Sequence, residues 1–304
     1  MKNVVICFIC LCRALTSTAQ DSTSAHNEKL PQFAAFVYKR DTLSFGKPNI
    51  LRNISHVPSN IWGIAKSPFQ EKNLIGLSVV AATTTLLILK DQEIINWVRR
   101  ASDGIGLNPE TNFKVAFKVG DTKILKIPQN LNTTLYQLGE GGTSMILAGG
   151  MWIYGKIGKD WRAVNTANDL AETFVTMGLA TQILKRVTGR ESPFLATAKG
   201  GRWRPFPAFS DFQSNTSAYD AFPSGHLATL MATVTVLTSN YPEKKWIGPV
   251  GYSLMFLSSW AMMNTEVHWA GDYPLAIAIG YLSGKITTWR HKAKNKQFTK
   301  VVIL

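Results

Sequence analysis

The sequence predicts an all-α protein, a helical bundle with five to six core helices. Three observations point there. Hydrophobic residues make up 45% and charged residues 17% of the 304 positions, which fits a globular or envelope-embedded chain and not a disordered one. Apolar runs of helical length recur from Leu74 onward. Glycine and proline clusters punctuate them, and no internal repeat emerges.

Taken in order, Met1 to Gln20 reads as a secretory signal. Lys2 supplies the positive start, Val4 to Cys12 an apolar stretch too short to span a bilayer, and Ser17-Thr18-Ala19 a small-residue cleavage site. Cleavage after Ala19 removes Lys2, Arg13 and all three cysteines, Cys7, Cys10 and Cys12. The mature chain then carries no disulfide in an oxidising compartment. Residues 20–70 read as an extended, loosely packed arm anchored by Trp62 and Phe69. A helical domain spans 71–290 and a basic tail 291–304.

Within that domain Leu74 to Leu89 is the most apolar stretch, a helix that is either buried or membrane-spanning. Residues 91–134 are polar and broken, and Gly104-Ile105-Gly106 reads as a turn because no strand-then-helix pattern surrounds it. Further helices are expected over Leu135–Tyr154, Ala163–Leu184, Ser224–Ser239, Trp246–Met263 and Trp269–Trp289. Asn165, Asn168, Asp169 and Glu172 lie in one of them and Glu140 in another, so these faces must look into protein or water. With a cleaved signal, six spans would place both histidine loops in the cytoplasm and the basic tail outside, against the positive-inside rule. A periplasmic protein, or one lying against a membrane, removes that contradiction and is the expectation; an integral protein is the alternative.

The formal charge of +14 suits a solvated basic surface or attraction to phosphate esters and acidic lipid. Without zinc-finger spacing or a long Lys/Arg run in the fold-forming part, no nucleic acid partner is expected.

Three stretches carry chemistry. In Pro223-Ser224-Gly225-His226, Ser224 caps a helix, Gly225 lets an anion approach the backbone, and the first amides face it. His226 there suits proton transfer to a leaving oxygen; a plain cap followed by a surface histidine is the other reading. His268 and Asp272, four apart, share one helix face, so the carboxylate can fix the ring tautomer and leave the other nitrogen free to attack; a structural pair is the alternative. Lys185, Arg186, Arg190, Arg202 and Arg204 gather cations around one loop, either for phosphate or as a solvated basic surface.

In this order, the stretches Lys185 to Pro193, Pro223 to His226 and His268 to Asp272 resemble the type 2 phosphatidic acid phosphatase superfamily, which also holds class A acid phosphatases and vanadium haloperoxidases. The resemblance covers roughly residues 71–290. It implies that His268 attacks phosphorus to give a phosphohistidine, that Asp272 orients it, and that His226 protonates the leaving alkoxide and then activates water. Lys185, Ser224 and Gly225 would hold the phosphate oxygens, with no metal and no cofactor.

Two positions depart from the family pattern. Ser192 stands where the family has an arginine before Pro193, and Met262, preceded by Ala261, replaces a second arginine. Loss of one preorganised oxyanion donor costs roughly 10²–10³ in rate. Arg190 and Arg204 are the candidates to fill that space. The expected function is an envelope phosphatase acting on a phosphorylated lipid, a pyrophosphate or a small phosphate ester, with membrane-surface contact. The alternative is an impaired member that binds phosphate or lipid phosphate without turnover. Haloperoxidase chemistry is disfavoured because vanadate needs the same depleted cations.

Overall fold

The computed structural model describes residues 33–38, 41–48, 50–120 and 122–302. The expected signal segment lies outside them, as do the tail side chains beyond Lys292. Among the described residues the chain is predominantly helical, with two small antiparallel hairpins at its margins.

The first hairpin, β1 (Phe33–Tyr38) and β2 (Asp41–Gly46), replaces part of the loose arm expected over residues 20–70. It holds because Phe45 is buried against Trp161 and Val164. Two helices follow, α1 (Ile50–Ser55) and α2 (Val57–Lys66), with Pro58 in the first turn of α2. The expected anchors do not serve: Trp62 is 69% and Phe69 72% exposed. Asn60 and Ile64 point inward instead.

Helix α3 (Leu74–Gly104) runs fifteen residues past its expected end at Leu89. Lys90 and Asp91 stop the apolar run without stopping the helix, because Asp91 finds buried partners and Ile95, Val98 and Ser102 continue the inward face. The chain turns at Gly106, in the left-handed region at φ 68°. A second hairpin, β3 (Phe113–Val119) and β4 (Thr122–Pro128), leads to α4 (Leu131–Gln137), capped by Asn130, which accepts from Thr133 N at 2.7 Å.

The single helix expected over Leu135–Tyr154 is two, α4 and α5 (Gly141–Ile157). The break carries the backbone of Gly139 past His226: a Cβ there would lie 2.7 Å from the His226 Cβ. Helix α6 (Trp161–Thr188) starts at Asp160, whose side chain accepts from Arg162 N (2.8 Å) and Ala163 N (3.2 Å). It ends at left-handed Gly189, where a Cβ would collide with the Arg204 carbonyl. Its polar residues face protein, as expected: Asn165, Asn168, Asp169 and Glu172 are all buried.

Short α7 (Phe209–Ser214) lies in the long loop before α8 (Gly225–Asn240). Helices α9 (Ile247–Asn264) and α10 (Tyr273–Val302) complete the bundle. Helix α8 is its centre, packed by α6, α9 and α10. Its contact with α10 is backbone-close: a Cβ at Gly280 would lie 2.3 Å from the Ala228 carbonyl, and one at Gly284 2.8 Å from Thr235 Cβ. Leu227, Leu230, Met231, Met255, Met262 and Ile279 fill the core around it. A fully buried side chain of this size contributes about 1.5–3 kcal/mol, so position 262 is now a core position.

The outward faces remain apolar. Ile75, Val79, Leu86 and Leu89 of α3 are exposed. Among the described residues one helical stretch, Glu71–Gly104, is long and apolar enough to cross a membrane, and none of its most apolar window is buried.

Candidate active site

The loops at one end of the bundle bring the three sequence stretches together. Lys185 comes from the last turn of α6, His226 from the first turn of α8, and His268 from the segment entering α10. The expectation that His268 and Asp272 share a helix face is refined. His268 precedes a single 3-10 turn, Ala270–Asp272, and helix α10 begins only at Tyr273. The turn serves the same end, because Asp272 Oδ2 accepts from Trp269 N at 2.8 Å and lies 3.4 Å from His268 Nδ1.

His226 sits between two rings. Its centroid is 4.8 Å from Tyr136 of α4 and 5.8 Å from His268. Ser224 is the N-cap expected: it is buried, its Oγ accepts from Leu227 N at 3.4 Å, and its own N–H donates to the Asp272 carbonyl at 3.1 Å. Lys185 Nζ packs against Gly225, where a Cβ would be 3.9 Å away. Gly225 thus keeps the helix start open beside the ammonium group.

Charge in this pocket is not as the sequence suggests. Lys185 Nζ lies 3.3 Å from Asp220 Oδ2, a carboxylate that sequence reasoning passed over. Arg190, expected as a phosphate cation, is wholly buried behind the catalytic candidates. Its guanidinium donates to Asp272 Oδ1 (2.7 Å), to Asp91 Oδ2 of α3 (2.5 Å) and to the Gly200 carbonyl (2.8 Å). It also lies over the rings of Trp203 and Trp269, at 4.8 and 5.3 Å. Two carboxylates and a carbonyl hold it there, so the structure does not direct it at the space between the histidines. Arg204 is likewise held, by Glu191, whose carboxylate also accepts from Arg202 N and Thr197 N. Those bonds and Arg204 keep Glu191 below the usual carboxylate range although burial opposes them. Ser192 and Met262 are both buried, and Met262 Sδ lies 3.9 Å from Ser224 Oγ.

These surroundings set the protonation of the pair. Burial, then the nearby His268 and Lys185, pulls His226 down to about 3. Burial and Lys185 pull His268 to about 3 as well, against Asp220 and a hydrogen bond to the Ala221 backbone. Burial lifts Asp272 to about 6, opposed by Arg190 and the Trp269 N–H. Both rings are therefore neutral at neutral pH, and a neutral imidazole has the lone pair a nucleophile needs.

Asp91 is the residue sequence reasoning missed. It accepts from Gly271 N at 2.8 Å as well as from Arg190, so it holds the turn that carries Asp272. The signal that could have found it is its helical phase with Ile95, Val98 and Ser102, which puts this acid, unlike Glu93, on the inward face.

The PAP2 superfamily profile matches residues 166–296, a segment that contains Lys185, Ser224, His226, His268 and Asp272 but not Asp91. Over 83 residues the chain is 28% identical to a lipid A 1-phosphatase of Porphyromonas gingivalis. That match spans 27% of this chain and 19% of the relative, so the chain covers about a fifth of the length of the curated relative. A solved structure, the transmembrane PAP2 type phosphatidylglycerolphosphate phosphatase from Bacillus subtilis, is 15% identical and aligns over 79% of this chain and 96% of its own, with a TM-score of 0.34.

Proposed function

We propose, from the match of residues 166–296 to the PAP2 superfamily, that the chain is a lipid-phosphate phosphatase working through a phosphohistidine. The observation that carries this reading is the facing pair His226 and His268, with centroids 5.8 Å apart, flanked by Lys185 and backed by Asp272. At about 3 Å from each ring, one phosphoryl group can touch both.

The neutral ring of His268 attacks phosphorus through the nitrogen that does not face Asp272, and the P–O ester bond breaks. Asp272 stabilises the positive charge that develops on that ring. The leaving alkoxide takes a proton relayed by His226. Because His226 is neutral before substrate binds, that proton arrives with the phosphate monoanion. In the second half His226 takes a proton from water, hydroxide attacks phosphorus, the P–N bond breaks, and inorganic phosphate leaves with the proton returned from His226. Lys185, Ser224 and the amides at the start of α8 stabilise the phosphate oxygens, and no metal is assigned to this step. Arg190 and Arg204 are left out of the phosphate contacts; Arg190 acts by holding Asp272.

The lipid substrate follows from the relative's printed activity and from the unburied apolar face of α3. The proposed location is the cell envelope after signal cleavage, with that face against a bilayer. The test is phosphate release from a lipid phosphate and from a small aromatic ester, with chelator present. The His268→Ala variant should show no release and no acid-labile phosphoenzyme. Equal rates for wild type and variant on both substrates would sink the enzyme reading. A second reading, a lipid-phosphate binder without turnover, is favoured by the burial of Ser192 and Met262 together with the capture of both nearby arginines. It requires saturable binding with no release.

A further inference from the structure

At the other end of the bundle a second group of titratable side chains meets. His56 stands at the position just before α2, Asp169 and Glu172 lie one turn apart on α6, and His291 lies far along α10. Glu172 is thirteen residues from Lys185 along α6, about 20 Å at roughly 1.5 Å per residue, so this group is remote from the phosphate pocket.

Asp169, Glu172 and His291 are each aimed by a neighbour. Asp169 Oδ1 bonds His291 Nδ1, and Asp169 is itself held through Oδ2 by Asn240 Nδ2 at 2.6 Å. That fixes a proton on Nδ1 and turns Nε2 toward Glu172. Asn60 Nδ2 donates to Glu172 Oε1 at 2.7 Å, which leaves Oε2 facing the same point. Oε2 and His291 Nε2 are buried and 3.1 Å apart, facing each other as an ion pair. A ring nitrogen of His56 completes the set, and one ligand atom from each of His56, Glu172 and His291 lies within 4.8 Å of the others.

From this geometry we propose that His56, Glu172 and His291 form a divalent transition-metal site, best suited to zinc, that ties α2, α6 and α10 together. Two imidazoles and one carboxylate, with water in a fourth position, are a ligand set zinc accepts. Tetrahedral zinc with bonds of 2.0–2.2 Å keeps its ligands about 3.4 Å apart, close to the 3.1 Å spacing of Glu172 and His291, and the His56 nitrogen, within 4.8 Å of both, closes in to the same spacing on binding. Asp169 behind His291 supplies the carboxylate–histidine–metal arrangement that fixes the ring and raises its basicity. On binding, zinc replaces the proton held between His291 Nε2 and Glu172 Oε2, which is released to solvent. The site does not depend on the phosphatase reading.

The test uses the purified full chain, stripped with chelator and titrated with Zn²⁺ by calorimetry, with bound metal counted by mass spectrometry. One zinc per chain is expected, with a raised melting temperature. His291→Ala should abolish binding, and His56→Ala and Glu172→Gln should each weaken it at least tenfold. Asp169→Asn should weaken it by about 10–100-fold. His56 keeps part of its surface exposed, so its variant tests the site without emptying the core. A double variant, His226→Ala with His268→Ala, should retain full stoichiometry. The proposal is overturned if wild type shows no saturable zinc, or if binding follows the His226/His268 pair and survives His56→Ala and His291→Ala.

Discussion

The two ends of the bundle each set a histidine against buried carboxylates, and the outcomes are opposite. At one end His268 faces Asp272 and is pulled down to about 3. At the other His291 faces Asp169 and Glu172 and is pushed up to about 10, their charges outweighing burial. Burial is the largest influence on both rings, and the difference lies in the charges that act beside it. Asp272 already answers to Arg190, and Lys185 adds a second cation beside the ring. Two amides hold Asp169 and Glu172 without neutralising them. A histidine–carboxylate pair is therefore not a unit with fixed properties. With both rings buried, the cations around His268 add to burial and leave it neutral, whereas the two carboxylates facing His291 outweigh burial and hold it charged.

The comparison breaks most visibly at His268. His268→Ala should reduce phosphate release to background while leaving the melting temperature within a few degrees, read by phosphate assay and calorimetry. Next in size is restoration. Ser192→Arg with Met262→Arg returns two phosphate donors, and turnover should rise by roughly 10²–10³ for each that reaches the site. The cost is an overpacked core, about 1–3 kcal/mol, together with the burial of two guanidinium charges until phosphate pairs with them, read as a lower melting temperature. Unchanged turnover in a folded double variant would show that cation depletion is not what limits the reaction.

The arginine behind Asp272 sharpens the contrast through stability. Arg190→Met strands two buried carboxylates and should destabilise by about 3–5 kcal/mol, measured by chemical denaturation. At the other end, metal-free Asp169→Asn should lose stability in a pH-dependent way. A histidine raised to about 10 from 6.5 contributes stability that is fully present below about pH 6.5 and is lost as pH rises through 10. The gap between wild type and variant should therefore close across that window. The smallest effect is expected at Gly139→Ala, whose new methyl meets the His226 Cβ; turnover should fall about tenfold with little change in substrate affinity.

Much of this could be read in advance because it is local. The helix start at Ser224, the long polar-faced α6 and the order of Lys185, His226 and His268 all follow from neighbours in the chain. What escaped was set by distant partners. Lys90 and Asp91 look like the end of a helix until Arg190, 99 residues away, is placed beside Asp91. Arg190 itself is indistinguishable in sequence from a phosphate-binding arginine, since only the position of the two acids decides what it touches. Met262 gives no sign from its neighbours that it has joined the core. His56, Glu172 and His291 have no spacing that marks them as a group, because they meet only when α2, α6 and α10 pack. Trp62 and Phe69 show the converse, large apolar residues that the fold leaves outside.

The reach of Asp91 has a bearing on modularity. The segment 166–296 carries every side chain assigned to bond-making, yet the carboxylate that steadies its Asp272 turn comes from α3, outside that segment. Excised alone, the segment would retain the reacting groups and lose the brace beneath them, with Arg190 half-satisfied and the Gly271 amide without its acceptor. The working unit is thus larger than its recognisable part. Insertions or truncations ahead of residue 166 should register in turnover as well as in stability.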